Sequence, residues 1–311
     1  MLIITEKFIF WAYSAIVLSM EKSTFKRINI NGLLKQTSPK IAPFIPKPVI
    51  RYLERLLHIE EINDFIESNY NDQPLEFVNK CIKYLNFNVV VENQERLNYI
   101  AAKRAIIVSN HPLGGTESLI MLDALKARNE NLLMISQGIM EHIKPLWPLL
   151  ISIPTEKNRK EIEDFREAFD TDKTIIMFPA GYCSRVLSNK VFFDYQWHPT
   201  FVKMAKRYNR CIIPIHISGQ NSKKFYRLSA LRRALKIKTS LETIYLPDEM
   251  FKQANSTVTL TVGDVIEAET LSEGSLSAFN ISDRIRNYVY KLGLDKEVKF
   301  NLSDKAVLPL K

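Results

Sequence analysis

The stretch AIIVSNHPLGGTESLIMLDALKAR, residues 105–128, sets the grammar of the whole chain. Ala105–Ser109 is a short apolar, β-branched run, and Thr116–Arg128 is patterned as a helix. Between them stands Asn110-His111-Pro112-Leu113-Gly114-Gly115. An apolar strand feeding a helix through a tight turn is the repeating unit of a helix-covered parallel sheet.

The alternation extends in both directions. Short β-rich runs appear at Val89–Val91, Leu132–Ile135, Leu149–Ile153, Thr174–Phe178, Cys211–Ile217 and Val258–Val262. Helical patterns lie between several of them, at Asn158–Ala168, His198–Tyr208 and Lys223–Leu235. The pattern predicts an α/β fold with a mainly parallel sheet covered by helices. A last amphipathic helix is expected over Ile281–Leu292.

Upstream, residues 40–84 read as helical. Val49, Ile50, Leu53, Leu56 and Leu57 recur at helical spacing, as do Leu75, Val78, Ile82 and Leu85 within Pro74–Leu85. The expected division is a small N-terminal helical cap at 1–85, the sheet domain at 86–270, and a C-terminal helix and tail at 271–311. Phe8–Met20 is apolar but shorter than the roughly 20 residues a spanning helix needs. Residues 1–19 are read either as an interfacial anchor or as residues ahead of a start at Met20.

Composition narrows the class. The chain has 311 residues with 46% hydrophobic and 25% charged, which fits neither disorder nor a polytopic membrane protein. Its net charge of +9 is unevenly placed, because Lys203–Lys238 contains Lys and Arg but no Asp or Glu. That run points to an anionic partner such as acidic lipid headgroups, an acidic carrier protein or nucleic acid, or else to a solvated surface. Three scattered cysteines supply neither a disulfide framework nor a zinc site, so a reducing, intracellular setting is expected.

Functional groups in such sheets gather beyond the carboxyl ends of strands. Two strands end conspicuously: Ala105–Ser109 runs into Asn110-His111, and Thr174–Phe178 runs into Pro179-Ala180-Gly181-Tyr182-Cys183-Ser184-Arg185. His111 before two glycines and a helix start can act as general base, with Gly114 and Gly115 amides meeting a developing oxyanion. Glu117 in the first helical turn can fix the imidazole tautomer. The plain alternative is a structural histidine in an N-cap turn. No nucleophile elbow, P-loop or dinucleotide fingerprint is present, so direct attack by a substrate hydroxyl is simpler than a covalent intermediate. His58, His142, His198 and His216 read as structural or surface residues.

Taken in order, these blocks resemble the lysophospholipid acyltransferase superfamily. Asn110-His111, Leu150–Pro154 with Asn158-Arg159, Phe178-Pro179-Ala180-Gly181 with Ser184-Arg185, and Ile213-Pro214-Ile215 follow its sequence of motifs across about residues 86–270. Two departures stand out. The family's Asp after the histidine is Thr116 here, with Glu117 one residue later, and its Phe-Pro-Glu-Gly reads with Ala180. The longer spacing resembles a bacterial branch that finishes aminoacyl lipids such as ornithine or glycine lipids.

The resemblance implies transfer of a fatty acyl group from an acyl thioester, on acyl carrier protein or coenzyme A, to the hydroxyl of a lyso-lipid. The expected acceptor is an N-(3-hydroxyacyl) amino-acid lipid. Arg185, with Ser184, Gly181 and Arg159, would hold the acceptor headgroup, and neither a cofactor nor a metal is expected. In Lys223–Leu235, Phe225, Leu228, Leu231 and Leu235 share one side, with Lys223, Lys224, Arg227, Arg232 and Arg233 around them. Such a helix suits an anionic bilayer or an acidic carrier, and the protein is expected on the cytoplasmic face of the cell membrane. The rival readings are a 1-acylglycerol-3-phosphate acyltransferase, a non-catalytic membrane-binding protein on the same fold, and, more distantly, a nucleic-acid binder, although the basic run lacks an aromatic platform.

Overall fold

The computed structural model describes residues 27–37, 42–102, 104–136, 140, 143–154, 158–186, 192–237, 240–272 and 274–304. The apolar segment at 8–20 and His142 lie outside the described residues. In chain order the helices are α1 (Ile30–Thr37), α2 (Lys47–Leu56), α3 (Ile59–Ser68), α4 (Pro74–Tyr84), α5 (Tyr99–Ala102) and α6 (Thr116–Leu125). They continue with α7 (Arg159–Asp170), α8 (Thr200–Tyr208), α9 (Lys223–Ala234), α10 (Leu246–Lys252) and α11 (Ala278–Leu292). The strands are β1 (Asn88–Glu92), β2 (Ala105–Ser109), β3 (Leu132–Ser136), β4 (Leu150–Ser152) and β5 (Thr174–Met177), then β6 (Arg185–Val186), β7 (Phe192–Phe193), β8 (Cys211–Ile217) and β9 (Thr257–Val262).

Seven strands form one sheet in the order β1-β9-β8-β2-β5-β3-β4. Neighbouring pairs are parallel except β8 with β9, so β9 and β1 run opposite to the other five. This agrees with the mainly parallel α/β fold expected from the sequence. In β2, Ala105, Ile106, Ile107 and Val108 are all fully buried, which is why the strand is apolar without alternation. Strand β5 stops at Met177, one residue short of the expected Phe178, and Pro179 comes two residues after its end. Proline lacks the N–H that would continue the ladder.

The chain divides into two compact units, and they cut across the division into 1–85, 86–270 and 271–311. One takes in the described residues within 1–77, 137–148 and 221–254, and the other the described residues within 78–136, 149–220 and 255–311. The second holds the sheet. Its core joins Ile106 and Val108 of β2, Phe165 and Phe169 of α7, Phe201 and Val202 of α8, and Ile281, Ile285 and Val289 of α11. The C-terminal amphipathic helix expected from the sequence therefore packs with the sheet. Burying each such aliphatic or aromatic side chain is worth roughly 1.5–3 kcal/mol. Asn158, Ser277 and the left-handed Asn209 mark ends of α7, α11 and α8 respectively, as helix termini demand.

The first unit has its own apolar cluster of Ile28, Ile30, Leu34, Ala42, Ile50, Leu53, Leu57 and Ile59. Buried Asn63 donates to the Ile28 carbonyl at 2.9 Å and accepts from its N–H at 2.7 Å, fixing the strandless segment before α1. Helix α9 belongs to this unit, with α10.

Candidate active site

Strands β2 and β5 are parallel neighbours, so their carboxyl ends open on the same edge of the sheet. At the end of β2, Asn110 is fully buried and exchanges two hydrogen bonds with Ile217 of β8, accepting from its N–H at 2.7 Å and donating to its carbonyl at 2.9 Å. Asn110 thus locks the turn to the next strand and aims the following residue outward. That residue is His111. Its ring stacks on Phe178 from the end of β5, centroids 4.9 Å apart. The two conspicuous strand ends meet face to face.

Nδ1 of His111 lies 2.6 Å from Oε1 of Glu117, whose side chain is completely buried. The one-residue shift from the family's usual acid position is thereby resolved: Glu117 still reaches the imidazole from the first turn of α6. Holding Nδ1 on a carboxylate leaves Nε2 as the nitrogen available for proton transfer. Burial works against the imidazolium, but the charge and hydrogen bond of Glu117 and the charge of Asp194 outweigh it, so the His111 pKa is raised. Burial likewise opposes ionisation of Glu117, yet His111 and the backbone N–H groups of Gly115 and Gly114 prevail and its pKa is lowered. The pair rests as carboxylate and readily charged imidazole.

The glycine turn does something other than expected. Leu113, Gly114 and Gly115 all donate their N–H groups to the Glu117 carboxylate, at 3.1, 2.9 and 2.9 Å. Gly114 and Gly115 therefore cradle the acid and are not free to meet an oxyanion. Their positive φ angles of 83° and 143° turn consecutive amides inward, and a side chain would be strained there.

Residues around the Pro179 loop also need correction. Arg185 is only 1% exposed and its guanidinium donates to the Cys183 carbonyl at 2.6 Å and the Ser184 carbonyl at 3.2 Å. In this arrangement it braces the loop from inside and offers no face to a headgroup. Ser184 is fully buried, with its hydroxyl on Asp194 and its N–H on the His111 carbonyl. Gly181 is exposed at the tip of the turn with φ of 66°. Arg159 is exposed at the start of α7, and no contact joins it to His111 among the described residues.

Cys183 is buried beside the site, and burial pushes its thiol up to about 12, so it is no nucleophile at neutral pH. Of the other histidines, His58 stacks on Phe251, His198 sits 2.6 Å from the Thr200 hydroxyl, and burial takes His216 down to about 4. None of these three touches His111 among the described residues, though the His216 ring lies edge-on to Tyr290 with centroids 6.1 Å apart.

The sequence profile of the family described as "Acyltransferase" matches residues 32–297. The chain belongs to that acyltransferase family. It is 32% identical over 272 residues to a protein of Bacteroides thetaiotaomicron named lyso-glycine lipid O-acyltransferase, covering 85% of this chain and 97% of the relative. A protein of Phocaeicola vulgatus with the same name is 32% identical over 281 residues, covering 89% and 99%. A crystal structure of the 1-acyl-sn-glycerophosphate acyltransferase PlsC from Thermotoga maritima is 16% identical over 94% of each chain, with a TM-score of 0.42.

One group of the acyltransferase's site escapes the sequence reading. Asp194 is 1% exposed and hydrogen-bonds the backbone N–H of His111 at 3.3 Å. It lies between the motif blocks, and nothing but its place in an aromatic run (Phe192, Phe193, Tyr195, Trp197) set it apart.

Proposed function

We propose that this acyltransferase moves a fatty acyl group from an acyl thioester to the hydroxyl of an N-(3-hydroxyacyl)glycine, completing a glycine lipid. The observation that carries the chemistry is the His111–Glu117 pair at 2.6 Å, placed where two strand ends converge. Nε2 of His111 takes the acceptor's hydroxyl proton while the oxygen attacks the thioester carbonyl. The tetrahedral intermediate collapses with loss of the C–S bond, and the departing thiolate receives the proton back from His111. Ester and free thiol are formed, and the base is regenerated. Glu117 orients the imidazole and stabilises its charged form.

The acceptor class rests on two relatives at 32% identity whose names specify lyso-glycine lipid, both matched over nearly their full length. Ala180 supports it, because it stands where glycerophosphate-acylating members of the family carry Glu. A preserved dyad speaks against a non-catalytic protein. The donor is an acyl thioester of acyl carrier protein or coenzyme A, with no further cofactor.

Helix α9 supports a peripheral position on an anionic cytoplasmic leaflet. Lys223 and Arg227 are exposed, and Leu231 and Leu235 are 56% and 58% exposed beside them. No helix among the described residues is long and apolar enough to cross a membrane.

The test is a lipid profile, by mass spectrometry, of cells making the chain or its His111→Ala form, supplied with N-(3-hydroxyacyl)glycine, N-(3-hydroxyacyl)ornithine or lysophosphatidate. A diacylated glycine lipid that depends on His111 is the expected result. Phosphatidate or diacylated ornithine lipid in its place would overturn the acceptor assignment.

A further inference from the structure

Asp194 is a buried carboxylate at the active site that the mechanism above does not use. Its Oδ1 accepts from the Ser184 hydroxyl at 2.5 Å and from the His111 N–H at 3.3 Å, and its Oδ2 accepts from the Trp197 indole at 2.8 Å. Ser184 in turn donates its own N–H to the His111 carbonyl at 2.7 Å. Both backbone polar groups of His111 are therefore held by the Asp194–Ser184 pair. The imidazole is held separately, by Glu117 and the Phe178 ring.

The clamp is anchored from a third side. The Tyr290 hydroxyl on α11 donates to the Ser184 Oγ at 3.3 Å, and its ring stacks on Phe193, the residue before Asp194, with centroids 3.8 Å apart. A carboxylate this deeply buried is costly unless its charge is compensated. Three donors compensate it in part, and the remaining electrostatic partner that changes during turnover is His111.

We propose that Asp194 is a positioning residue for acyl transfer, which clamps the His111 backbone to the Ser184 loop and turns its negative charge toward the imidazolium formed as the acceptor is deprotonated. The inference rests on His111 as the base. Glu117 on α6 and Asp194 on the loop after β7 favour the imidazolium, whereas Arg185 on β6 opposes it. Burial pushes the Asp194 carboxyl above the ordinary range, and the hydrogen bonds of Ser184 and Trp197, the charge of His111 and the Tyr290 hydroxyl work against that to hold it ionised beside the base. The Arg286 guanidinium stacks over the Phe193 ring at 5.3 Å.

Asn in place of Asp194 keeps the shape and removes the charge. Its amide oxygen can still accept from Ser184 and His111, while its NH2 cannot accept from the Trp197 indole, so that one hydrogen bond is lost with the charge. The experiment measures kcat, KM and the pH profile of kcat/KM for the full chain, Asp194→Asn and Ser184→Ala, with thermal melting of each as the fold control. Asp194→Asn is expected to lower kcat by about tenfold or more while leaving both KM values within about twofold. Its acid limb should move to lower pH by about half a unit or more, because the imidazolium has lost a neighbouring charge. Ser184→Ala should lower kcat by about fivefold with the acid limb in place, since only the clamp is loosened.

A folded Asp194→Asn protein with unaltered kcat and acid limb would overturn the proposal. So would a fall in kcat with an unmoved limb, which packing alone explains. Should Asp194→Asn not fold, Ser184→Ala decides: an unchanged kcat, or a rise in acceptor KM alone, overturns the clamp. An unaltered chain that forms no ester overturns the acyltransfer reading as well, whereas a normal Asp194→Asn profile overturns only the role of Asp194.

Discussion

His111 is fixed at its backbone, at Nδ1 and over its ring face before any substrate arrives, so little reorganisation stands between binding and proton transfer. Glu117 does two jobs at once, since it also collects the three turn amides. Glu117→Gln keeps the shape and removes the charge. The His111 pKa is raised in the unaltered chain, so activity falls as pH drops through a value above the ordinary histidine one. In Glu117→Gln that acid limb should move to lower pH and kcat should fall about a hundredfold, with KM little changed. Rate–pH profiles of the two proteins check it; an unshifted limb would sink the dyad. Spacing alone left His111 open as a structural histidine in an N-cap turn; the motif blocks in family order tipped the reading to a base with Glu117 as its acid. The glycines and Arg185 were assigned to substrate because sequence gives no account of which donors a buried neighbour already occupies.

Elements were the most readable level. Strands β2 and β8 run over the residues expected of them, since continuous apolar runs bounded by polar turns leave little freedom. Helix α9 was harder. Its five cations looked equivalent in sequence, yet they are not. Arg232 pairs with fully buried Glu242 at 2.9 Å and donates to the Ile237 carbonyl, while the Lys224 ammonium sits over the Tyr245 ring at 4.5 Å. Phe225 and Ser229 face inward, so the leucine stripe is displaced to the exposed flank. Arg232→Gln should therefore cost about 2–4 kcal/mol of stability by removing the cation paired with buried Glu242, measured by urea unfolding. Lys223→Gln with Arg227→Gln should leave stability unchanged and weaken binding to anionic vesicles, an effect that fades at high salt. Equal stability losses in both variants would contradict that division of labour.

For the molecule as a whole, the base and its supports all come from the sheet-bearing unit, assembled from β2, β5, α6, the loop after β7 and α11. That α11 reaches the site through Tyr290 was not visible in sequence, because a helix pattern shows which face is apolar but not which strand ends it meets. The excess positive charge, by contrast, was visible as a number and a place, and it supports an anionic surface as the setting of the reaction. The most direct measurement is ester formation by the purified chain and its His111→Ala form, from an acyl thioester and an N-(3-hydroxyacyl)glycine in mixed vesicles. The unaltered chain is expected to release one ester and one free thiol per turnover, with a fall of at least about a thousandfold without His111. Ester formation that survives in a folded His111→Ala protein would contradict it.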